Sequence, residues 1–90
     1  MIPYGRQSIN DDDIQAVVDV LKSPMITQGD VVPAFEQAIA SYVGVSHVVA
    51  VNSATSALHV SCLALGLGLG DFLWTAPNSF VASANVGIYC

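Results

Sequence analysis

The stretch Val48-Val49-Ala50-Val51-Asn52-Ser53-Ala54-Thr55-Ser56-Ala57-Leu58 changes character at its midpoint. His47–Val51 is a short run rich in valine, the pattern of a buried strand, and Asn52-Ser53 then opens an alanine- and leucine-rich helical run. A strand that ends where a helix begins gathers several unsatisfied backbone N–H groups at one point. The helix dipole and the hydroxyls of Ser53, Thr55 and Ser56 stand behind them, so the junction can cradle a phosphate. The competing reading is ordinary capping, with Ser53 accepting from the first helical turn.

Working outward, the spacing predicts helices on both sides. Asn10 is placed to cap a helix whose first turn carries Asp11, Asp12 and Asp13 at the positive dipole end. Ile14, Val17, Val18 and Leu21 give that helix an apolar face, and it ends near Lys22 before Ser23-Pro24. A loop over 25–30 leads to a second helix from about Val32 or Pro33 to Val43, with Gly44 just past its end. Val32, Phe35, Ile39 and Val43 are its expected buried stripe. The third helix runs over 54–65 and stops at Gly66. A second short strand is expected at Phe72-Leu73-Trp74-Thr75, then a fourth helix over 81–89 with Ser79 as its cap. The order helix, helix, strand, helix, strand, helix begins an α/β fold whose sheet needs more than these two strands.

Composition narrows the function classes. Only 10% of the 90 residues are charged and 53% are hydrophobic, against roughly 25% charged in an average soluble domain. Mean hydropathy is +0.61. So apolar a chain would leave large uncovered patches as a globule, which predicts a fragment of a larger fold. No uninterrupted apolar run reaches membrane-spanning length and Met1–Arg6 lacks the pattern of a signal peptide, so cytoplasmic residence is the expectation. A net charge of −5 with two cationic residues, Arg6 and Lys22, opposes a nucleic-acid partner.

Other motifs read blandly. The acidic triplet suits the helix dipole, and His59 with Cys62 supplies too few ligands for a metal site. No metal site is expected. Cys62 and Cys90 fit no redox or metal spacing and read as free thiols. Gly66-Leu67-Gly68-Leu69-Gly70 lies after a helix, the reverse of the order a dinucleotide fingerprint requires, and reads as a turn. Thr75-Ala76-Pro77-Asn78-Ser79-Phe80 falls where α/β folds bind ligands, and Phe80 can stack on a flat one.

Five segments carry a resemblance in order along nearly the whole chain. They are Ile2-Pro3-Tyr4-Gly5; Ile26-Thr27-Gln28-Gly29-Asp30 ahead of Phe35-Glu36; Asn52 through Leu58; Ala64-Leu65-Gly66-Leu67-Gly68; and Pro77-Asn78-Ser79-Phe80-Val81-Ala82-Ser83-Ala84-Asn85. Together they resemble the N-terminal part of the DegT/DnrJ/EryC1/StrS sugar aminotransferases, and the motif forms look most like the pseudaminic acid branch. The resemblance implies a fold-type-I transferase dependent on pyridoxal phosphate (PLP), with an aspartate aminotransferase-like large domain. Residues 1–90 would be its N-terminal arm, two helices and the start of that domain, with an incomplete sheet.

It further implies amino transfer, with glutamate as donor, to C4 of a UDP-linked 4-keto-6-deoxy sugar by a homodimer. Ala54 and Thr55 match the segment that holds the PLP phosphate, and Phe80 matches the aromatic against the pyridine ring. Tyr4 and Pro24-Met25-Ile26-Thr27 match positions lining the nucleotide-sugar site. The family's Schiff-base lysine, the covalent partner of PLP, lies beyond residue 90, so no catalytic residue is assigned and the 90 residues alone are expected to be inactive. Two alternatives stay open. One is a PLP-dependent sugar dehydratase of the same family, with histidine at the lysine position. The other is a non-catalytic module that binds phosphorylated ligands.

Overall fold

A computed structural model describes residues 2–90. Four helices appear in chain order: α1 (Asp11–Lys22), α2 (Val31–Val43), α3 (Ala54–Ala64) and α4 (Ala82–Tyr89). The chain divides into two compact units, Met1–Val49 and Ala50–Cys90.

In the first unit, α1 starts with a reciprocal cap. Asp13 N–H donates to Asn10 Oδ1 at 3.0 Å, and Asn10 N–H donates to Asp13 Oδ2 at 3.0 Å. Two orphan donors are thereby satisfied at one point, and Asp13 also faces the positive end of the dipole. This pairing explains one of the three aspartates without a metal. Ser23 ends the helix: its N–H and Oγ both donate to Val20 C=O, at 3.0 and 2.7 Å. Helix α2 begins at Val31, one residue earlier than the sequence suggests, and carries Pro33 in its first turn. At its other end Gly44 adopts φ 75, and the N–H groups of Gly44 and Val45 both reach Ala40 C=O at 2.9 and 3.0 Å. A left-handed residue is cheapest when it has no Cβ, which is why glycine closes this helix.

In the second unit, Ser53 caps α3, and α4 packs on α3. Val86 of α4, 2% exposed, and Ala82 are the buried residues of this pair. Gly87 lets α4 approach the preceding segment closely, since a Cβ there would stand 3.0 Å from Leu73 Cδ2. Asp71 closes the turn after α3 by accepting from Gly68 N–H at 2.9 Å, while its own N–H donates to Gly68 C=O at 3.1 Å.

Three expectations are corrected. Among the described residues there is no strand: neither 47–51 nor 72–75 forms one. Strand identity is conferred by a hydrogen-bonded neighbour, and two short valine- and aromatic-rich runs do not make a stable sheet by themselves. The α/β sheet of the sequence reading is therefore not present here. The expected stripe of α2 is also uncovered. Val32, Phe35, Ile39 and Val43 are all exposed, and Ala40 alone is buried on this helix. Finally, Ser79 does not cap α4. Its hydroxyl meets that of Ser83 at 3.0 Å, and Val81 occupies the cap position without a side-chain bond.

Candidate functional site

The start of α3 is built around a small hydroxyl network. Ser53 has extended backbone (φ −161, ψ 157), and its Oγ accepts from Ser56 N–H at 3.1 Å. Ser53 Oγ also donates to Ser56 Oγ at 3.0 Å, and Ser56 Oγ donates to Asn52 Oδ1 at 2.7 Å. The network holds the first turn rigid and satisfies the third helical N–H. Ala57 N–H is taken by Ser53 C=O at 3.0 Å.

Two backbone donors and one hydroxyl are left over. Among the described residues the N–H groups of Ala54 and Thr55 have no acceptor, and the Thr55 hydroxyl makes no hydrogen bond. These groups sit at the positive end of the α3 dipole, where an anion is favoured. The sequence placed three hydroxyls behind the cradle. The structure divides them: Ser53 and Ser56 serve the cap, and Thr55 remains for a ligand. Asn52 was not singled out, although an amide side chain just before a serine cap is a natural acceptor for its hydroxyls.

Phe80 precedes α4 in the same unit. The residue is 76% exposed, and its backbone C=O accepts from Ser83 N–H at 3.0 Å. A large aromatic left in solvent at a helix entrance is available to stack on a planar ligand. On the packed face of α3, the His59 ring meets Tyr89 of α4 edge-on at 5.6 Å and 69°, and His59 Nε2 is buried without a hydrogen-bond partner. No cluster of three or more His, Cys, Asp or Glu among the described residues could hold a metal ion.

In the first unit, Pro24, Met25 and Ile26 line a groove of about 530 Å³ together with Val20 and residues 28–32. Thr27 and Tyr4 do not line it; both are exposed. The loop is held from within. Ser23 Oγ donates to Met25 C=O at 3.0 Å, Gln28 takes a left-handed φ of 54, and a Cβ on Gly29 would lie 2.7 Å from Met25 O. Only glycine fits at position 29 without moving the backbone. Lys22, the single lysine, stands in the last turn of α1, where its charge complements the helix dipole.

The family model of the DegT/DnrJ/EryC1/StrS aminotransferases matches residues 7–90. The chain belongs to this family. The DegT/DnrJ/EryC1/StrS family is PLP-dependent in general. Two curated relatives are named UDP-4-amino-4,6-dideoxy-N-acetyl-beta-L-altrosamine transaminase. One, from Campylobacter jejuni subsp. jejuni serotype O:23/36 (strain 81-176), is 42% identical over 88 residues, which are 98% of this chain and 23% of that protein. The other, from C. jejuni serotype O:2 (strain ATCC 700819 / NCTC 11168), is 40% identical over the same coverage. Spore coat polysaccharide biosynthesis protein SpsC of Bacillus subtilis (strain 168) is also 40% identical over 88 residues, again 98% of this chain and 23% of the relative. The chain thus spans about a quarter of the length of the curated relatives it matches. No solved structure matches it.

Proposed function

We propose that this chain is the N-terminal part of a PLP-dependent aminotransferase acting on a UDP-linked 4-keto-6-deoxy-N-acetylhexosamine in pseudaminic acid-type amino-sugar biosynthesis. Glutamate is the donor, C4 of the sugar is the acceptor, and the working enzyme is a cytoplasmic homodimer. The observation that carries the reading is the pair of unpartnered N–H groups at Ala54 and Thr55, on a helix start fixed by Ser53, in a chain that matches the family over 7–90. The two transaminase relatives support the substrate class.

The residues present fit the phosphate end of PLP. Ala54 N–H, Thr55 N–H and the Thr55 hydroxyl would donate to its oxygens, and the α3 dipole would favour its charge. Phe80 would lie against the ring. Bound PLP supplies an electron sink for the carbon–nitrogen chemistry. Tyr4 and the loop Pro24-Met25-Ile26-Thr27 would meet the nucleotide sugar, as exposed segments at a binding edge commonly do. No base is assigned within these residues, because Lys22 ends α1 as a dipole-complementing charge. The 90 residues alone therefore carry no transaminase activity.

A chimera tests this. Residues 1–90 replace the matching segment of the 42%-identical Campylobacter transaminase. The expected product binds PLP and aminates the ketosugar, and Thr55→Ala weakens PLP roughly tenfold, the loss typical of one charge-assisted hydrogen bond, while Thr55→Ser retains it. A folded chimera that binds PLP equally well with alanine at position 55 would remove the cradle assignment. Sequencing the reading frame past the Cys90 codon tests the chemistry. A lysine at the Schiff-base position supports amino transfer, and a histidine there reassigns the enzyme to sugar dehydration.

A further inference from the structure

The groove beside loop 24–30 is mostly aliphatic, with two polar side chains left free on it. Val20, Met25, Ile26 and Val32 are among its walls, and its volume of about 530 Å³ is that of a small-ligand site. Gln28 and Asp30 also line it, and among the described residues Asp30 is its one charged group. Neither side chain is used by the fold. Asp30 stands at the cap position of α2 yet makes no side-chain cap bond, and the Gln28 amide has no hydrogen bond among the described residues. Ser23, by contrast, spends its hydroxyl on the carbonyls of Val20 and Met25. Gln28 is also held at φ 54, the one positive φ outside glycine among the described residues. Glycine and asparagine take that conformation most cheaply, so a longer amide held there is local strain of the kind that marks binding positions.

We propose that Gln28 and Asp30 are specificity-determining residues that select the 2-acetamido group of the sugar, an inference that rests on the UDP-sugar reading above. An acetamido group presents a carbonyl acceptor, an N–H donor and a methyl. The Gln28 amide donates to the carbonyl, the Asp30 carboxylate accepts from the N–H, and the aliphatic walls take the methyl. The other parts of a nucleotide sugar suit the groove less well. Its only charge is negative, and neither Arg6 nor Lys22, the two cations of the chain, lines it, so a diphosphate is repelled. No aromatic side chain among the described residues lines it, so a uracil ring has nothing to stack on. A hydroxyl in place of the acetamido group would leave the Gln28 amide and the apolar wall without partners, which is how a polar site rejects an analogue.

The test uses the chimera described above in its PLP form, without amino donor, so that bound sugar is not aminated. Calorimetry measures Kd for three probes: the UDP-linked 4-keto-6-deoxy-N-acetylhexosamine, its 2-hydroxy analogue, and UDP. The acetamido sugar should bind at least about fivefold tighter than the hydroxy analogue, the scale of one or two hydrogen bonds. Gln28→Gly relieves the strained backbone, so a merely structural role predicts binding of all three probes at least as tight as before. The acetamido assignment predicts instead that the preference collapses while UDP binds as before, and that Asp30→Asn lowers the preference as well. No preference in the unsubstituted chimera, a preference that survives Gln28→Gly, or an equal loss of affinity for UDP itself overturns the proposal. A PLP-loaded chimera that binds none of the three probes overturns the UDP-sugar reading, and this inference with it.

Discussion

At the scale of single residues, three positions each predict a distinct effect. Asn10 both accepts from and, through its N–H, donates to Asp13. Asn10→Ala removes the accepting half, and about 1 kcal/mol of α1 stability should go with it, whereas Asn10→Asp should cost little because it keeps an acceptor. Thermal unfolding of the chimera with the transaminase relative, carrying each variant, reads the difference. Gly29 is a steric case rather than a capping one: the alanine Cβ meets a backbone oxygen, Met25 O, at 2.7 Å and cannot be relieved by a side-chain rotation. Gly29→Ala should displace loop 24–30 and raise its cleavage rate in limited proteolysis; an unchanged cleavage pattern would show that the loop yields without cost. Cys90 adds a pH signature. The fold favours its protonated form, so any stability it contributes is present below the unfolded value of 9.0 and is lost as pH rises through the higher folded value. Under mildly alkaline conditions Cys90 should alkylate more slowly in the native chain than in the same chain in denaturant.

At the scale of elements, what was legible in the sequence was whatever is decided by neighbours along the chain. Asn10, Ser53 and Gly44 mark helix ends through bonds spanning three to five residues, and the structure places those ends within a residue of the expected positions. The strands at 47–51 and 72–75 were not legible in the same way, because a ladder is a property of two segments and no partner is supplied here. The start of α4 was misread for a related reason. Ser79 has the chemistry of a cap, but its hydroxyl is engaged by Ser83 four residues on, and the helix begins after Val81 instead. The cradle was legible as a helix start, whereas the assignment of Ser53 and Ser56 to the cap and Thr55 to a ligand required the geometry. The α3–α4 pair also makes a prediction in which two effects compete. Gly87→Ala gains up to about 1 kcal/mol of helix propensity and meets only the mobile end of Leu73 at 3.0 Å. The propensity gain should win, leaving α4 equally or more stable, whereas Gly87→Val adds branches that Leu73 cannot clear and should be destabilising. Urea midpoints of the two variants, made in the chimera with the transaminase relative, separate these outcomes.

At the scale of the whole molecule, surface area decides how the chain behaves alone. Its accessible surface is 8151 Å² for 9.4 kDa. A folded globule of that mass exposes about 5,000 Å², and even two separate globules of half the mass would expose only about 6,000 Å². The excess is largely apolar in character: Trp74 is 93% exposed, Phe72 and Tyr42 are nearly as open, and among the described residues only Ala40, Ala82 and Val86 are buried hydrophobics. Hydrophobic burial is the main force opposing chain entropy, and three small buried side chains cannot offset the entropy of 90 residues. The isolated chain should therefore bind a hydrophobic dye such as ANS, unfold over a broad range, and self-associate as concentration rises. The chimera with the remaining three-quarters of a transaminase relative should lose the dye signal and melt in a single step, because the same apolar faces would then be covered. A monomeric 90-residue chain with a sharp, dye-free transition would contradict both the surface argument and the assignment to a larger enzyme, and would favour a free-standing module that uses the α3 start to hold a phosphorylated ligand.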